Sequence, residues 1–401
     1  MILADGHLRA DGRKGIRNVL PVIYLVECAH HVARQAVERA QDDRVHLLGF
    51  PGCYPNEYAL EMLKSLTTHP NVGGAVLVSL GCEGFDREAL AAEVAASGRP
   101  LKTVVIQEAG GTRGSINATL EAVAAVRDAM ERQERRAPVA ISDLTIGTVC
   151  GGSDGTSGIA ANPAVGRAFD RLVDAGAVCI FEETGEMIGC ETALSRRAAS
   201  PEVAAAIMTS IGNAESYYRS MGFGSFAPGN AEGGLSTQEE KSAGAYVKSG
   251  SRPVKGVIRP TQRPGAPGLY LLDIVPETPP KFGFPNISDN AEIAELMSCG
   301  AHITLFTTGR GSVVGSAIAP VIKITGNPVT YRRMAEDMDV NAGRVLEGTA
   351  TLEELGEEIF RLTLEVAAGA VTKSEALGHR EFILTYKSAD ALGTLCGMTA
   401  R

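Results

Sequence analysis

Short apolar runs alternate with single amphipathic helical segments through the first third of the chain, and this alternation is the tightest constraint on the fold. VLPVIYLV is followed by CAHHVARQAVERAQ, VHLLGF by NEYALEMLKSL, GAVLVSL by DREALAAEVAAS, and LKTVVIQ by SINATLEAVAAVRDAMERQERR. Apolar runs too short for a buried helix, each followed by a segment of helical period, specify parallel strands joined by crossover helices. The predicted fold class is α/β, with two or three Rossmann-like parallel-sheet domains and long glycine-rich loops around an active site. The charged stretch RQERRAP reads as a boundary between an N-terminal α/β domain over 1–138 and a C-terminal α/β catalytic region over 139–401. In the second part the pattern resumes with LTIGTV, a helix from Asn162 and the strand AVCIF. Gly, Pro, Ser and Lys then accumulate over about 222–268, a loop-rich insert around one helix at 237–248. LYLLDIV, NAEIAELMSCG, HITLFTT and PVIKIT form a last αβ segment, with two helices running to about Gly369.

The net charge of −9 gives no electrostatic footprint for nucleic acid or an anionic membrane surface. No apolar run reaches the ~18 residues of a spanning helix, and MILADGHLRADGRKG has no signal-peptide core. Eight cysteines in a chain of 401 residues without an export signal suggest reduced thiols in a cytoplasm.

Four of those cysteines, Cys28, Cys53, Cys82 and Cys150, each sit just past an apolar run. Ligands of open parallel sheets bind beyond the carboxyl ends of the strands, so thiols placed there would converge on one pocket. Thiolates hold soft metals such as iron, as a single Fe(II) or in an iron–sulfur cluster with one open iron. The competing reading is that each is a small buried hydrophobe, the natural role of Cys179 inside AVCIF. Cys396, in the C-terminal tail, has no such position.

Polar clusters at the ends of the later runs carry the remaining chemistry. CGGSDGTSGIAANP follows a strand and opens a helix, so its backbone N–H groups and Ser153, Asp154, Thr156 and Ser157 suit an anionic ligand; it is also a plausible capped turn. FEETGEMIGCE brings Glu182, Glu183, Glu186 and Glu191 to another strand end, fit for a general base or a hard metal, or simply for a helix N-terminus. FAPGNAEGGLSTQEEKS supplies Asn230, Glu232 and Lys241. TTGRGS supplies Thr308 and Arg310, and VIKITGN supplies Lys323 and Asn327. Lys323 lies inside an apolar strand, either facing solvent from a sheet edge or buried as a functional amine. In DGRKGIRN, Arg13, Arg17 and Asn18 stand where two guanidinium forks could face one substrate carboxylate, or could lie on a solvated arm.

In order along the chain, DGRKGIRN, GCE, EAGGTR, CGGSDGTSGIAANPAVG, EETGEMIGCE, PGNAEGGLSTQEEKSAGA, FTTGRGS, PVIKITGN, EDMDVNAG and TKSEALG resemble the altronate and galactarate dehydratase family. The resemblance runs from about Asp5 to about Gly378. It implies an iron-dependent hydro-lyase that converts a hexonate- or hexarate-like 2,3-dihydroxy acid to a 2-keto-3-deoxy acid. It also implies an alternative, a C–S lyase on a sulfonated hydroxy acid. Within that reading Glu183, Glu186, Lys241 and Lys323 are the catalytic candidates, and the four cysteines are the iron ligands.

The chain departs from the family in several places. Members often carry a further small N-terminal domain, whereas DGRKGIRN begins here by residue 11. Phe50 stands before Cys53 where a His is common, and LDIVPETPPKFGFPN replaces a shorter turn. The chain is therefore expected to work as a homo-oligomer, with the 273–288 segment near the pocket, or beside a separate small subunit. A non-catalytic large subunit that needs such a partner for activity is the third possibility.

Overall fold

The computed structural model describes residues 2–222, 228–276 and 288–384. The chain opens on β1 (Ile2–Leu8) and the two-residue β2 (Lys14–Gly15). The first apolar runs then become β3 (Leu20–Tyr24), β4 (Val45–Gly49), β5 (Ala75–Ser79) and β6 (Leu101–Val105). Each is followed by one helix, α1 (Glu27–Ala40), α2 (Glu57–Thr67), α3 (Arg87–Ala96) and α4 (Gly111–Arg132). The strands pair in parallel in the order β4-β3-β5-β6. Every residue of β5 is buried, as expected when helices cover both faces of a parallel sheet. Helix starts are written in the sequence: the Asn56 side chain accepts from Ala59 N and the Asp86 side chain from Ala89 N.

β7 (Arg136–Ala140) pairs antiparallel with β1, and β1 with β2. This small sheet falls on stretches read from sequence as an arm and a charged boundary. Its strands are mostly half-exposed and broken by Asp5, Gly6, His7 and Pro138, so neither shows the apolar run that betrays a strand.

The second sheet is parallel throughout. Its strands are β8 (Thr145–Cys150), β9 (Val178–Phe181), β10 (Val254–Ile258), β11 (Gly268–Leu272), β12 (Ile303–Thr308), β13 (Val321–Thr325) and β14 (Val340–Asn341). The order is β10-β11-β9-β8-β12-β13-β14, so the chain reverses direction across the sheet at β8. β10 lies inside the stretch read as loops. The connecting helices are α5 (Asn162–Asp174), α6 (Glu191–Ser195), α7 (Pro201–Met221), α8 (Pro228–Glu232), α9 (Gln238–Val247), α10 (Asp289–Ser298), α11 (Pro328–Arg333), α12 (Leu352–Ala367) and α13 (Lys373–Ala376). Among the described residues, no helix is long and apolar enough to cross a membrane.

The two parallel sheets share one hydrophobic core. Ile23, Leu48 and Leu77 of the four-stranded sheet belong to the same cluster as Val149, Ile180 and Phe306 of the seven-stranded one. Polar ties cross the same seam. Arg17 donates to both oxygens of Glu375 at 2.7 and 3.0 Å and to the carbonyls of Val366 and Ala370. His69 and His302 sit there fully buried, ring centroids 5.9 Å apart. Each accepts a backbone N–H at Nδ1, from Asn71 and Thr145, and faces a carbonyl at Nε2, that of Ala301 and of Lys14. Both rings are thus held as neutral tautomers. Burial pushes His302 down to about 4 and His69 well below its ordinary value.

Groups with depressed folded-state values contribute stability that is present above about 6.5 and is lost as pH falls towards 4. Each ring should steepen the acid limb of the stability curve by up to about 1.4 kcal/mol per pH unit in that window. Urea unfolding of wild type and His302→Gln from pH 7 to 4.5 checks this: the variant's acid limb should be shallower, and parallel limbs would exclude the effect.

Candidate functional site

The carboxyl ends of β9, β8, β12 and β13, neighbours at the reversal point, gather most of the polar residues singled out in the sequence. Cys150 ends β8 and is buried. Its Sγ lies 2.9 Å from Glu183 Oε1 and 3.2 Å from Glu186 Oε2. Lys241, delivered by α9, donates from Nζ to Cys150 Sγ at 3.0 Å and to Ser153 Oγ at 2.9 Å, and pairs with Glu186 Oε1 at 2.7 Å. Lys248, wholly buried at the other end of the same helix, pairs with Glu183. Two carboxylates therefore face two ammonium groups around one thiol.

Glu183 holds this ring together at a backbone cost. It has φ +89° and ψ +54°, the left-handed region that a non-glycine residue occupies only under constraint. Its carboxylate accepts from the Cys150 backbone N–H at 3.1 Å, an acceptor that this turn geometry places. Such strain held by a buried network marks functional turns.

The electrostatics sort the roles. Burial pulls Lys241 down, but Cys150 and Glu186 more than offset it, and the group ends well above its ordinary value. It stays a cation. Burial, and then the Glu186 carboxylate, push the Cys150 thiol up. α10 adds Asp289, raised to about 6 by burial and then by Glu186, and Glu292, raised well above the carboxylate range by burial and then by Glu182. Glu182, Glu186, Glu292 and Tyr218 line a small cavity of about 30 Å³ next to the thiol.

The glycine-rich turn forms the floor. Asp154 accepts from Thr156 N at 2.8 Å, Thr156 Oγ1 at 2.5 Å and Ser157 N at 3.2 Å, and from Asn327 Nδ2 at 3.0 Å. Asn230 Oδ1 takes Ser153 N at 3.0 Å, and Thr308 Oγ1 donates to the Gly152 carbonyl at 2.9 Å. Arg310 stands at the rim, 3.2 Å from Glu232. Gly309 is required here: a Cβ would lie 1.9 Å from Asp154 Oδ1. Gly309→Ala should shift Asp154 and cost on the order of 10²-fold in kcat/KM with the fold retained. Steady-state kinetics alongside circular dichroism check this, and unimpaired turnover would remove the Asp154 turn from the site.

Other candidates lie elsewhere. Arg17 and Asn18 belong to the seam, where Asn18 Oδ1 accepts from Arg9 Nη1 at 2.9 Å. Arg13 pairs with Asp11 at 2.5 Å. Lys323 is buried on β13, 3.2 Å from His379 Nδ1, rather than beside Cys150. Cys28, Cys53 and Cys82 are exposed beyond the ends of β3, β4 and β5, three adjacent strands of the other sheet. The start of α1 and the two loops are tied together: Glu27 N donates to Pro51 O at 3.1 Å, and Gly84 N to Cys53 O at 2.8 Å. Cys150 thus ends a strand of the seven-stranded sheet, and the other three cysteines follow strands of the four-stranded one. Cys396 and most of the 273–288 segment, residues 277–287, lie outside the described residues.

Lys248, Asp289 and Glu292 were missed in the sequence. A lysine near a helix C-terminus and acids in a helix's first turn are what a solvated helix would also carry, so no local signal separates them.

Residues 6–131 match the family model described as D-galactarate dehydratase/altronate hydrolase, second domain, and residues 141–389 the one described as D-galactarate/altronate dehydratase, C-terminal. The chain is 33% identical over 401 residues to the (2R)-sulfolactate sulfo-lyase subunit beta of Chromohalobacter salexigens, covering 96% of this chain and 98% of that one. It is 32% identical to the altronate dehydratase of Bacillus subtilis, covering 96% and 78% respectively. It is 31% identical to the galactarate dehydratase (L-threo-forming) of Escherichia coli, covering 91% and 72%.

Proposed function

We propose, from the premise that the chain belongs to the D-galactarate/altronate dehydratase family of lyases, that it dehydrates a 2,3-dihydroxy sugar acid to a 2-keto-3-deoxy acid. The observation that carries the reading is the buried Cys150–Glu183–Glu186–Lys241 ring at the sheet's reversal point. Glu183 and Glu186 both line the cavity; Glu186 is the more exposed of the two, and it takes the proton α to the substrate carboxylate. Lys241, which keeps its charge, stabilises the enediolate as negative charge accumulates. The Cys150–Ser157 turn, Asn327 and Arg310 orient the substrate, Arg310 as a fork for a distal carboxylate. Loss of the β-hydroxyl with its bonding electrons leaves an enol, which tautomerises to the keto acid.

Cys28, Cys53 and Cys82 would hold the iron that such chemistry calls for. They are exposed thiols past three adjacent strands, Cys28 in the first turn of α1 and the other two on loops, whereas the carboxylates around Cys150 are already matched by Lys241 and Lys248. Three thiolates suit an iron–sulfur cluster with one open iron, which would supply Lewis-acid assistance to the departing hydroxyl. A single Fe(II) on Cys150, Glu183 and Glu186 is the second reading, supported by ligand atoms within 4.8 Å of one another. Such a site would work in a cytoplasm, where thiols stay reduced.

The near end-to-end match to a sulfo-lyase subunit beta supports two further readings: a sulfonate as the β-leaving group, and a separate small subunit or second copy of this chain as the cover. One screen tests the reading. The anaerobically purified chain, with and without Fe(II) and reductant, is offered a library of sugar acids and sulfonated hydroxy acids. Keto-acid formation without sulfite supports the dehydratase, and sulfite release supports the C–S lyase. No product from any acid, alone or with a small partner protein, would refute both.

A further inference from the structure

Tyr218, in the last turn of α7, brings a phenol to the small cavity beside the Cys150 ring. Its aromatic ring lies against Gly185, in the turn between Glu183 and Glu186. A Cβ on Gly185 would stand 2.4 Å from Tyr218 Cε2 and 3.1 Å from its Oη, so this close approach needs glycine. Ala214, Tyr217 and Val275 form one buried cluster with Tyr218, and the two tyrosine rings meet edge to face with centroids 5.3 Å apart. These contacts fix the hydroxyl over the turn that carries both carboxylates.

A buried phenol ordinarily finds a hydrogen-bond partner. Tyr218 is 8% exposed, yet its Oη bonds to no described residue. Thr184, also in the cavity wall, spends its hydroxyl on the Leu272 carbonyl at 3.3 Å. Glu183 and Glu186 pair with Lys248 and Lys241 as carboxylates, which accept hydrogen bonds and do not donate them. The cavity thus offers acceptors on one side and a donor on the other, in about 30 Å³, room for a single water-sized group. A hydroxyl, which donates and accepts at once, fits that arrangement. A carboxylate or sulfonate has no proton to give and would meet carboxylates of its own sign. Burial, and then Glu292, Glu182 and Glu186, hold the phenol well above its ordinary value, so it donates a hydrogen bond without ionising.

We infer that Tyr218 is a further catalytic residue, whose Oη donates a hydrogen bond to the β-hydroxyl of the substrate as that group departs into this cavity. This role rests on the dehydratase reading and sharpens it, because the leaving group is then a neutral hydroxyl and not a sulfonate. The α proton passes to Glu186, and the Cβ–O bond breaks with its electron pair on oxygen. The proton held on Glu186 then completes a water molecule. Tyr218 keeps its own proton throughout and steadies the oxygen as charge builds on it.

Tyr218→Phe keeps the ring against Gly185 and removes the hydroxyl. With a sugar acid that the wild-type chain dehydrates, kcat should fall about 10²-fold, the usual cost of one such donor. KM should stay within a few-fold, and the thermal unfolding midpoint close to that of wild type. Tyr217→Phe, which changes a ring outside the cavity wall, should turn over as wild type does. A fall of less than tenfold in Tyr218→Phe overturns the role and leaves the dehydratase reading standing, as does an equal fall in Tyr217→Phe. A wild-type chain that forms keto acid from no sugar acid, or that releases only sulfite from sulfonated acids, overturns both.

Discussion

Glu186→Gln is expected to lower kcat about 10³-fold while KM moves no more than a few-fold. The substitution keeps the shape of the side chain but removes its ability to take a proton and the negative charge beside Lys241, and positioned general bases contribute ~10²–10⁴-fold. Glu186 sits on a short turn at the cavity edge, its side chain 13% exposed, so the amide fits without cost to the core. A Glu183→Gln variant should differ in degree, because Lys241 keeps its contacts to Cys150 and Ser153 when Glu186 is changed. The Glu183 carboxylate is bound to Lys248 and to the Cys150 backbone, so the change leaves a buried ammonium unpaired and lowers stability as well as rate. If Glu186→Gln turned over within tenfold of wild type, the base would have to be another group.

Cys82→Ser should strip most of the iron from anaerobically prepared protein and lower activity at least about 10²-fold, because a thiolate ligand is lost outright. The fold should persist, since Cys82 is exposed. Iron and acid-labile sulfide measured together distinguish the two placements of the metal. Loss of both from Cys82→Ser, with retention in Cys150→Ser, fits the three-thiol site. Loss of iron from Cys150→Ser, with Cys82→Ser unchanged, moves the metal to the Cys150 ring. Cys179→Ala is the control, because that thiol is buried in β9 and packs as a hydrophobe.

The alternation of runs and helices carried the two parallel sheets because apolar runs and helical periods are local signals. The antiparallel pairing of β1 with β7 was illegible because neither strand shows a long apolar run and 136 lies far from 7 in the chain. At the site, strand-end position found Cys150, Glu183, Glu186, Lys241 and the Asp154 turn. The four-residue spacing of Arg13 and Arg17 and the position of Lys323 inside an apolar run offered these as well, and the structure puts them elsewhere. A guanidinium that bridges Glu375 and two carbonyls looks, in sequence, the same as one that waits for a substrate. Which strand ends share a sheet is decided by tertiary pairing, and so the division of the cysteines into three and one could not be read locally.

The shared core and the locked histidine pair also bear on motion. Hinged enzymes open by separating two bodies that touch through a thin, wettable interface. Here the interface is a continuous apolar layer running from Ile23 to Phe306, with two dry imidazoles pinned on both sides. Prising it apart at every turnover would expose that layer to water each time. The two halves therefore travel as one block, and substrate and product must come and go past chain segments over the strand ends. Mutations along the seam should alter how long the protein lasts far more than how fast it works.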